Sequence, residues 1–131
     1  MNNVTAWLEQ TAGKYPEKTA FSDERKSVTY RELSAKAKAA AAQIIRLGIF
    51  KKPVAVFLPK GVDTIISFMA AAYSGNFYSP IDVEMPKKRV QKILEVLEPE
   101  TVITSSDLAG IFRGYGYEKN VIIFEEAVQG E

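Results

Sequence analysis

The 131-residue sequence predicts an α/β protein in which a mainly parallel sheet is flanked by helices and preceded by an N-terminal helix and a short hairpin. Segment 53–58 is an almost uninterrupted apolar run of strand length, which is typical of a central strand covered on both faces. From Pro53 onward strand-like and helix-like segments alternate, and this order favours right-handed crossovers between parallel strands. A chain of this length forms one domain, or one subdomain of a larger protein.

The segment ahead of the sheet carries two local signals. Apolar residues recur at helical spacing before Pro16, where the first helix should end. These residues are Val4, Trp7, Leu8, Ala12 and Tyr15. Two short strand-like stretches, 19–22 and 27–30, then flank a charged turn and predict a hairpin.

A capping box predicts where the second helix begins. The Thr29 hydroxyl can accept a hydrogen bond from the third helical N–H, while the Glu32 carboxylate reaches back to the N–H of Thr29. The helix should extend to about Leu47, because Gly48 stands where a left-handed residue is favoured. Its inward stripe is predicted to be Leu33, Ala37, Ala40, Ala41 and Ile44.

The remaining elements follow from apolar periodicity and from the positions of glycine and proline. A helix over 61–73 should be covered on both sides, and a strand over 77–81 follows it. Next comes an amphipathic helix over 86–97, whose inward residues are predicted to be Val90, Ile93, Leu94 and Leu97. The last elements are a strand over 101–104, a short helical turn over 107–112 and a strand over 121–124.

Composition excludes several classes of function. The chain has no cysteine and no histidine, so it cannot form disulfides, Cys-type zinc sites, or Ser-His-Asp and Cys-His catalytic arrangements. With 17 basic and 16 acidic residues the net charge is +1, which predicts neither a nucleic acid nor an anionic membrane as a partner.

Targeting signals are not recognisable either. The first 19 residues mix charged and apolar side chains and do not resemble a signal peptide. The uncharged run 64–81 approaches the length of a membrane span, but polar residues, Gly75 and Pro80 interrupt it. A buried helix followed by a strand is the favoured interpretation, and the expected location is cytoplasmic.

Two motifs carry a family resemblance. Segment 71–89 resembles the pattern K-A-G-x-A-Y-x-P-L-D-x-x-x-P-x-x-R of adenylate-forming (AMP-binding) enzymes, through Gly75, Tyr78, Pro80, Asp82, Pro86 and Arg89. Segment 28–33, Val-Thr-Tyr-Arg-Glu-Leu, resembles their L-[ST]-Y-x-E-L pattern. The second motif alone is weak, since many helices begin with a capping box. The spacing of the two motifs, with an apolar strand and helix between them, also fits the family.

The sequence departs from the family pattern at several positions. Val28, Tyr73, Phe77 and Ile81 stand where Leu, Lys, Ala and Leu are usual. These departures are compatible with the fold, but they loosen any inference about the substrate.

The resemblance implies a function for a parent enzyme. In this family a carboxylate attacks the α-phosphate of Mg-ATP, pyrophosphate leaves, and the acyl group passes to a thiol. The family's phosphate loop and catalytic lysine come later in the chain, so residues 1–131 are expected to be the N-terminal portion of an adenylation domain, truncated before the phosphate-binding loop. This portion would serve as scaffold and would be inactive alone. It would contain no catalytic, cofactor-binding or metal-binding residue, and ATP and magnesium would be the cofactors of the parent enzyme.

The resemblance also implies partners and a substrate class. The expected partners are the remainder of the adenylation domain and, for the parent, a carrier-protein phosphopantetheine or CoA thiol. The P-x-D-x-x-x-P-x-x-R form at 80–89 is more similar to amino-acid-activating members than to fatty-acid or acetate ligases. Those members are nonribosomal peptide synthetase adenylation domains and D-alanine–carrier-protein ligases.

Three local features have both a structural and a functional interpretation. Asp82 follows a strand, where α/β sheets place chemistry, but it is expected to cap the next helix beside Pro86. The basic cluster 87–89 could meet phosphate, yet it is expected to be a solvated helix face. The glycine pair at Gly114 and Gly116 lacks the further glycine and the strand-to-helix context of a phosphate cradle.

An alternative hypothesis is a self-contained, non-catalytic α/β binding or interaction module, including a truncated relative that serves only for interaction. A receiver-type signalling domain would need paired acidic residues after its first strand. Leu58, Pro59 and Lys60 follow the first central strand here, which argues against that class.

Overall fold

The computed structural model describes residues 3–129 and has the predicted order of elements. The helices are α1 (Asn3–Lys14), α2 (Tyr30–Arg46), α3 (Val62–Tyr73), α4 (Lys87–Leu97), α5 (Ser106–Gly114) and α6 (Phe124–Ala127). The strands are β1 (Thr19–Ser22), β2 (Ser27–Thr29), β3 (Pro53–Phe57), β4 (Phe77–Pro80), β5 (Thr101–Thr104) and β6 (Asn120–Ile123). Helix α5 is longer than the predicted turn. Helix α6 was not predicted, and it begins at Phe124, which the sequence placed in the last strand.

The sheet is parallel, as predicted. Strands β1 and β2 form a separate antiparallel hairpin, and the four remaining strands pair in the order β4-β3-β5-β6. Strand β3 therefore has a partner on each side, which confirms the central position inferred from its apolar run. The chain steps from β3 to β4 in one direction and then to β5 and β6 in the other.

Two apolar layers cover the sheet. On one face Val54, Val56 and Ile103 pack against α2 and α3. On the other face Ala55 and Phe57 pack in a second cluster that includes residues of α4 and α5. Helix α3 connects β3 to β4, whereas α4 and α5 connect strands in the opposite direction across the sheet. A single crossover handedness therefore places α3 on one face and α4 and α5 on the other.

Local signals at the helix ends are confirmed. The N–H of Glu32 donates to Thr29 Oγ1 at 3.1 Å, and the N–H of Thr29 donates to Glu32 Oε1 at 2.8 Å, which completes the capping box. Gly48 and Gly75 follow helices with φ of +74° and +79°. The predicted inward stripe of α2 is buried throughout.

The inner faces of two helices are narrower than predicted. Trp7 and Tyr15 are 45% and 56% exposed, whereas Leu8 is fully buried. Helix α1 contacts both α2 and α3, and Trp7 lies at the margin of this contact, with its ring edge-on to Tyr30. Of the four residues predicted to face inward from α4, Val90 is buried and the others are half-buried.

Helix α3 packs against strands β3 and β4 on one side and against α2 and α1 on the other, as predicted. It and β4 account for most of the uncharged run 64–81. Within residues 3–129, no helix combines the length and apolarity needed to cross a membrane.

Candidate functional site at the carboxyl edge of the sheet

The carboxyl edge of the sheet is the place where open α/β folds bind ligands, at the point where the strand order reverses. Here that point lies between β3 and β5. Lys60 follows β3, and Ser105 and Ser106 follow β5. Since helices α3 and α5 begin at this edge, their first backbone N–H groups would be the natural donors for an anion.

The N-terminus of α3 is occupied by a carboxylate from the hairpin turn. Asp23 Oδ2 accepts a 2.7 Å hydrogen bond from the N–H of Val62, the first residue of α3. Asp23 Oδ1 accepts from the N–H groups of Arg25 and Lys26 at 2.8 and 2.9 Å. These bonds, that of Val62 first, lower the pKa of Asp23 to about 2, so the group is ionised at neutral pH.

The approach of Asp23 to α3 depends on Gly61. A Cβ atom at position 61 would collide with Asp23 Oδ2. The N–H of Gly61 is also occupied, because it donates to Thr64 Oγ1 at 3.1 Å. Lys26 Nζ forms a 2.8 Å ion pair with Asp63 and adds a second link between the hairpin and α3.

The N-terminus of α5 is likewise occupied by a carboxylate. Glu125 Oε2 accepts hydrogen bonds from the N–H of Ser106, at 3.1 Å, and from its hydroxyl. The bond from the Ser106 side chain is the main cause of a lowered pKa of Glu125. Beneath this edge the buried Thr104 hydroxyl donates to the carbonyl oxygen of Phe57 at 2.6 Å and links β5 to β3.

A cavity of about 580 Å³ opens beside this edge, between the hairpin, the start of α3 and the end of β4. Most of its wall is apolar, with polar groups from Lys60, Thr64 and Asp82. The apolar side chains are Phe21, Val56, Leu58, Val62, Ile65, Tyr78, Pro80, Ile81 and Met85. Phe21 belongs to the hairpin, so the hydrogen bonds of Asp23 also help to position this wall.

Asp82 caps a turn rather than the helix, which corrects the expectation from the sequence. Its Oδ1 accepts from the N–H of Glu84 at 2.9 Å, and its carbonyl oxygen accepts from the N–H of Met85 at 3.1 Å. Pro86 is the N-cap of α4 and not a first-turn residue. The reason is geometric, because four residues separate Asp82 from Lys87, the first residue of α4, and this distance leaves room for a separate turn.

The basic cluster 87–89 and the glycine pair at Gly114 and Gly116 lie where their structural interpretations predicted. The basic residues 87–89 are exposed in the first turn of α4. Gly114 ends α5, and Gly116 has φ of +99° in the turn that leads to β6. The glycine pair therefore lies at a helix-to-strand junction, at the opposite edge from the helix N-termini.

A polar cluster between the first three helices was not foreseen from the sequence. Glu9 on α1 accepts hydrogen bonds from the hydroxyls of Tyr73 on α3 and Ser34 on α2, and its Oε1 lies 2.8 Å from Lys38 Nζ. These bonds, that of Lys38 first, lower the pKa of Glu9. Tyr73, standing where the family pattern has lysine, was the available signal, but its partner lies 64 residues away.

Comparison with known proteins identifies the family. The family model described as AMP-binding enzyme matches residues 8–128. The chain belongs to the AMP-binding enzyme family. Among curated relatives, gramicidin S synthase 1 of Brevibacillus brevis is 34% identical over 120 residues, which are 91% of this chain and 11% of that protein. The D-alanine–D-alanyl carrier protein ligase of Lactiplantibacillus plantarum is 30% identical over 109 residues, which are 82% of this chain and 22% of that protein.

Solved structures agree on the fold. VinN in complex with L-aspartate has a TM-score of 0.85 at 21% identity, over 96% of this chain and 34% of that chain. The nonribosomal peptide synthetase FmoA3, bound to α-methyl-L-serine-AMP, has a TM-score of 0.87 at 22% identity, over 96% of this chain and 14% of that chain. The chain therefore spans a minor part of each of these relatives.

Enzymes of this family use ATP and magnesium, and the residues at the carboxyl edge do not fit them. The first N–H of α3 and the first N–H of α5 already donate to Asp23 and Glu125, so a phosphate at this edge would meet two carboxylates. No group of three or more acidic residues within 3–129 is arranged to hold a metal ion. We therefore assign no step of the reaction to residues at this edge.

Proposed function

We propose that residues 1–131 are the N-terminal scaffold of an amino-acid-activating adenylation domain. The parent enzyme would form an acyl adenylate from ATP and an amino acid and transfer the acyl group to a carrier thiol. The family match over residues 8–128 supports the reaction class. The motif at 80–89 and the similarity to peptide synthetases and a D-alanyl carrier protein ligase support an amino acid as the substrate.

The observation that carries the scaffold assignment is that a carboxylate accepts from the first N–H of both helices at the carboxyl edge. In α/β folds these termini supply N–H donors to phosphate groups. Here Asp23 and Glu125 accept from them. A phosphate group would have to displace an ionised carboxylate, which costs the hydrogen bonds and adds repulsion between like charges. ATP is therefore expected to bind elsewhere in the parent domain.

The proposed partners follow from this assignment. The remainder of the adenylation domain would be the direct partner, and it would supply the phosphate loop and the sites for ATP, magnesium and the amino acid. A carrier-protein phosphopantetheine, or CoA, would be the acceptor thiol of the parent. We propose a cytoplasmic location, as expected of an enzyme that consumes ATP.

The test is amino-acid-dependent exchange of pyrophosphate into ATP. The isolated chain should give no exchange above a no-enzyme control with any of the proteinogenic amino acids, D-alanine, acetate or a fatty acid. The full-length product of the native gene should give exchange with an amino acid. It should also contain, a few dozen residues past Glu131, a strand and a Thr/Ser/Gly-rich loop ending in Pro-Lys.

Two results would contradict the proposal. Exchange by the isolated chain would mean that its own residues hold ATP productively. A native reading frame without the predicted loop would instead favour the self-contained, non-catalytic module.

A further inference from the structure

The cavity of about 580 Å³ beside the carboxyl edge has the features of a small-molecule site. Pockets that hold small ligands are concave, of roughly 300–1,000 Å³, mostly apolar, and carry a few polar groups that orient the ligand. The hairpin, β3, α3 and β4 all contribute apolar side chains to the wall of this cavity. Its few polar groups therefore determine which class of molecule it could hold.

Three residues of the family motif at 71–89 line the cavity together. Tyr78 and Pro80 lie in β4, and Asp82 follows two residues past Pro80. Alternate residues of a strand lie on the same side, so this spacing brings the three side chains to one wall. The N–H of Ile81 donates to the carbonyl oxygen of Val56 at 2.9 Å, so β4 is held to β3 up to this point.

Two opposite charges line the cavity without neutralising each other. Lys60 follows β3 and Asp82 follows β4, so the two groups come from the ends of neighbouring strands. Within residues 3–129 neither of them forms an ion pair. Asp82 Oδ1 accepts from the N–H of Glu84, and Oδ2 has no partner in that part of the chain. A ligand that carries both a carboxylate and an ammonium can satisfy the two groups at once.

A third polar group comes from Tyr78. Its ring packs edge-on against Phe68 at 5.3 Å, and among the described residues its hydroxyl has no hydrogen-bond partner. Burial raises the pKa of Tyr78, so the hydroxyl is protonated at neutral pH and can donate. The Thr64 hydroxyl, by contrast, already donates to the carbonyl oxygen of Gly61 at 2.7 Å and accepts from its N–H. The available donors are thus an ammonium and a phenol, which both suit a carboxylate.

We propose that the cavity binds a small apolar zwitterion, with its carboxylate at Lys60, its ammonium at Asp82 and its apolar body against the wall that includes Phe21. An apolar amino acid is the smallest molecule of this class, and a short apolar peptide is the other source. A phosphate ester would meet the Asp82 carboxylate, and a fatty acid would leave that carboxylate unpaired. The site is separate from the activation reaction, so this inference goes beyond the proposed function and does not depend on it.

A titration of the ¹⁵N-labelled chain, followed by amide chemical shifts, tests the inference. The probes are L-valine, L-leucine, L-methionine, L-phenylalanine, L-tryptophan and the dipeptide leucyl-leucine, so the two sources are distinguished. At least one probe should shift the amides of the hairpin, the start of α3 and the end of β4. Its N-acetyl derivative lacks the ammonium and its amide lacks the carboxylate, and each should bind about tenfold more weakly or worse. No shift at these amides with any probe at millimolar concentration would overturn the inference.

Two variants assign the contacts. Lys60→Gln should abolish the preference for the free acid over its amide, and Asp82→Asn should abolish the preference for the free amine over its N-acetyl derivative. Asparagine retains an oxygen that can accept from the N–H of Glu84, so the turn is kept. The matched controls, Glu118→Gln and Lys119→Gln, remove one charge of each sign just before β6, at the opposite edge of the sheet, and should change neither preference. Retention of both preferences in Lys60→Gln and Asp82→Asn would overturn the assignment.

The full-length product of the native gene separates this site from the proposed function. It should bind the same probe, and Lys60→Gln should weaken that binding without changing KM for the amino acid in pyrophosphate exchange. Absence of exchange with retained binding would contradict the proposed function alone. Binding by the isolated chain that is lost in the full-length protein would overturn the inference, because another part of the domain would then fill the cavity. A rise in KM equal to the loss of binding would also overturn it, because the cavity would then be the substrate site itself.

Discussion

Asp23, in the hairpin turn, accepts a 2.7 Å hydrogen bond from the backbone N–H of Val62, 39 residues later in the chain. The side chain of one element thus caps the helix of another, and Gly61, the residue before the capped N–H, leaves the space for it. This relationship links the hairpin to α3, and it places a carboxylate at a helix terminus of the kind that attracts anions. The first two predictions concern this contact.

The stability of the isolated chain should depend on the ionisation of Asp23. Its pKa falls from 3.8 to about 2 on folding, so the unfolded state binds more protons in that interval. The stabilisation that the ionised Asp23 carboxylate contributes is complete above about pH 4 and is lost as the pH falls toward 2. The difference in melting temperature between wild type and Asp23→Asn should therefore shrink between these pH values.

The control for that measurement is Glu24→Gln, which removes a carboxylate from the same turn. Glu24 accepts no backbone hydrogen bond from the described residues. Its substitution should not reproduce the effect of Asp23→Asn, because it removes no hydrogen bond to α3. A difference in melting temperature between wild type and Asp23→Asn that stays constant from pH 5 to pH 2 would contradict this prediction. It would show that the hydrogen bond from the N–H of Val62 does not depend on the charge of Asp23.

Substitution of glycine by alanine should have opposite effects at two positions. Gly61→Ala should destabilise the chain, because the new methyl group would collide with Asp23 Oδ2. Gly110→Ala, within α5, meets no atom within 4 Å and should stabilise the chain by about 0.5–1 kcal/mol, since alanine loses less backbone entropy in a helix. Chemical denaturation of both variants measures this, and a stabilising Gly61→Ala would contradict the packing around Asp23.

Substitution by valine should have opposite effects on stability at two buried threonines of β5. Thr101 and Thr104 are both fully buried. The Thr101 hydroxyl has no hydrogen-bond partner among residues 3–129, whereas the Thr104 hydroxyl donates to Phe57. Thr101→Val should stabilise the chain by about 1 kcal/mol, because it removes an unsatisfied polar group, and Thr104→Val should destabilise it by about 1 kcal/mol. Equal effects in urea denaturation would show that the two hydroxyls have equivalent environments.

The hydrogen bond between Tyr73 and Glu9 should contribute to the packing of α1. Tyr73→Phe removes the hydroxyl and leaves the ring, and it should cost about 0.5–1 kcal/mol, since the carboxylate is partly exposed and keeps Lys38. Glu9→Gln supplies the second arm of a double-mutant cycle. The two substitutions together should cost less than the sum of their separate effects. Strict additivity would show that the hydroxyl and the carboxylate do not interact.

Local patterns in the sequence were sufficient for the order of elements, the parallel sheet and the central place of β3. The capping box of Thr29 and Glu32 was predictable because both partners lie within one helical turn. The exposure of Trp7 was not predictable, because helical spacing marks a face but not how much of that face a neighbour covers. Helix α6 was missed because it has four residues, too few for a periodic signal.

The sequence by itself determined the fold class and the family, since alternating apolar runs, helix signals and two motifs are all encoded by short-range spacing. The tertiary structure decided what occupies the carboxyl edge. The bond from Val62 to Asp23 and the bonds from Ser106 to Glu125 join residues 39 and 19 positions apart. Each carboxylate lies in a segment whose own pattern predicts only a turn or a strand end. Only the packing of the hairpin against α3 and the pairing of β6 with β5 bring those charges to the helix termini, and both are properties of the whole chain.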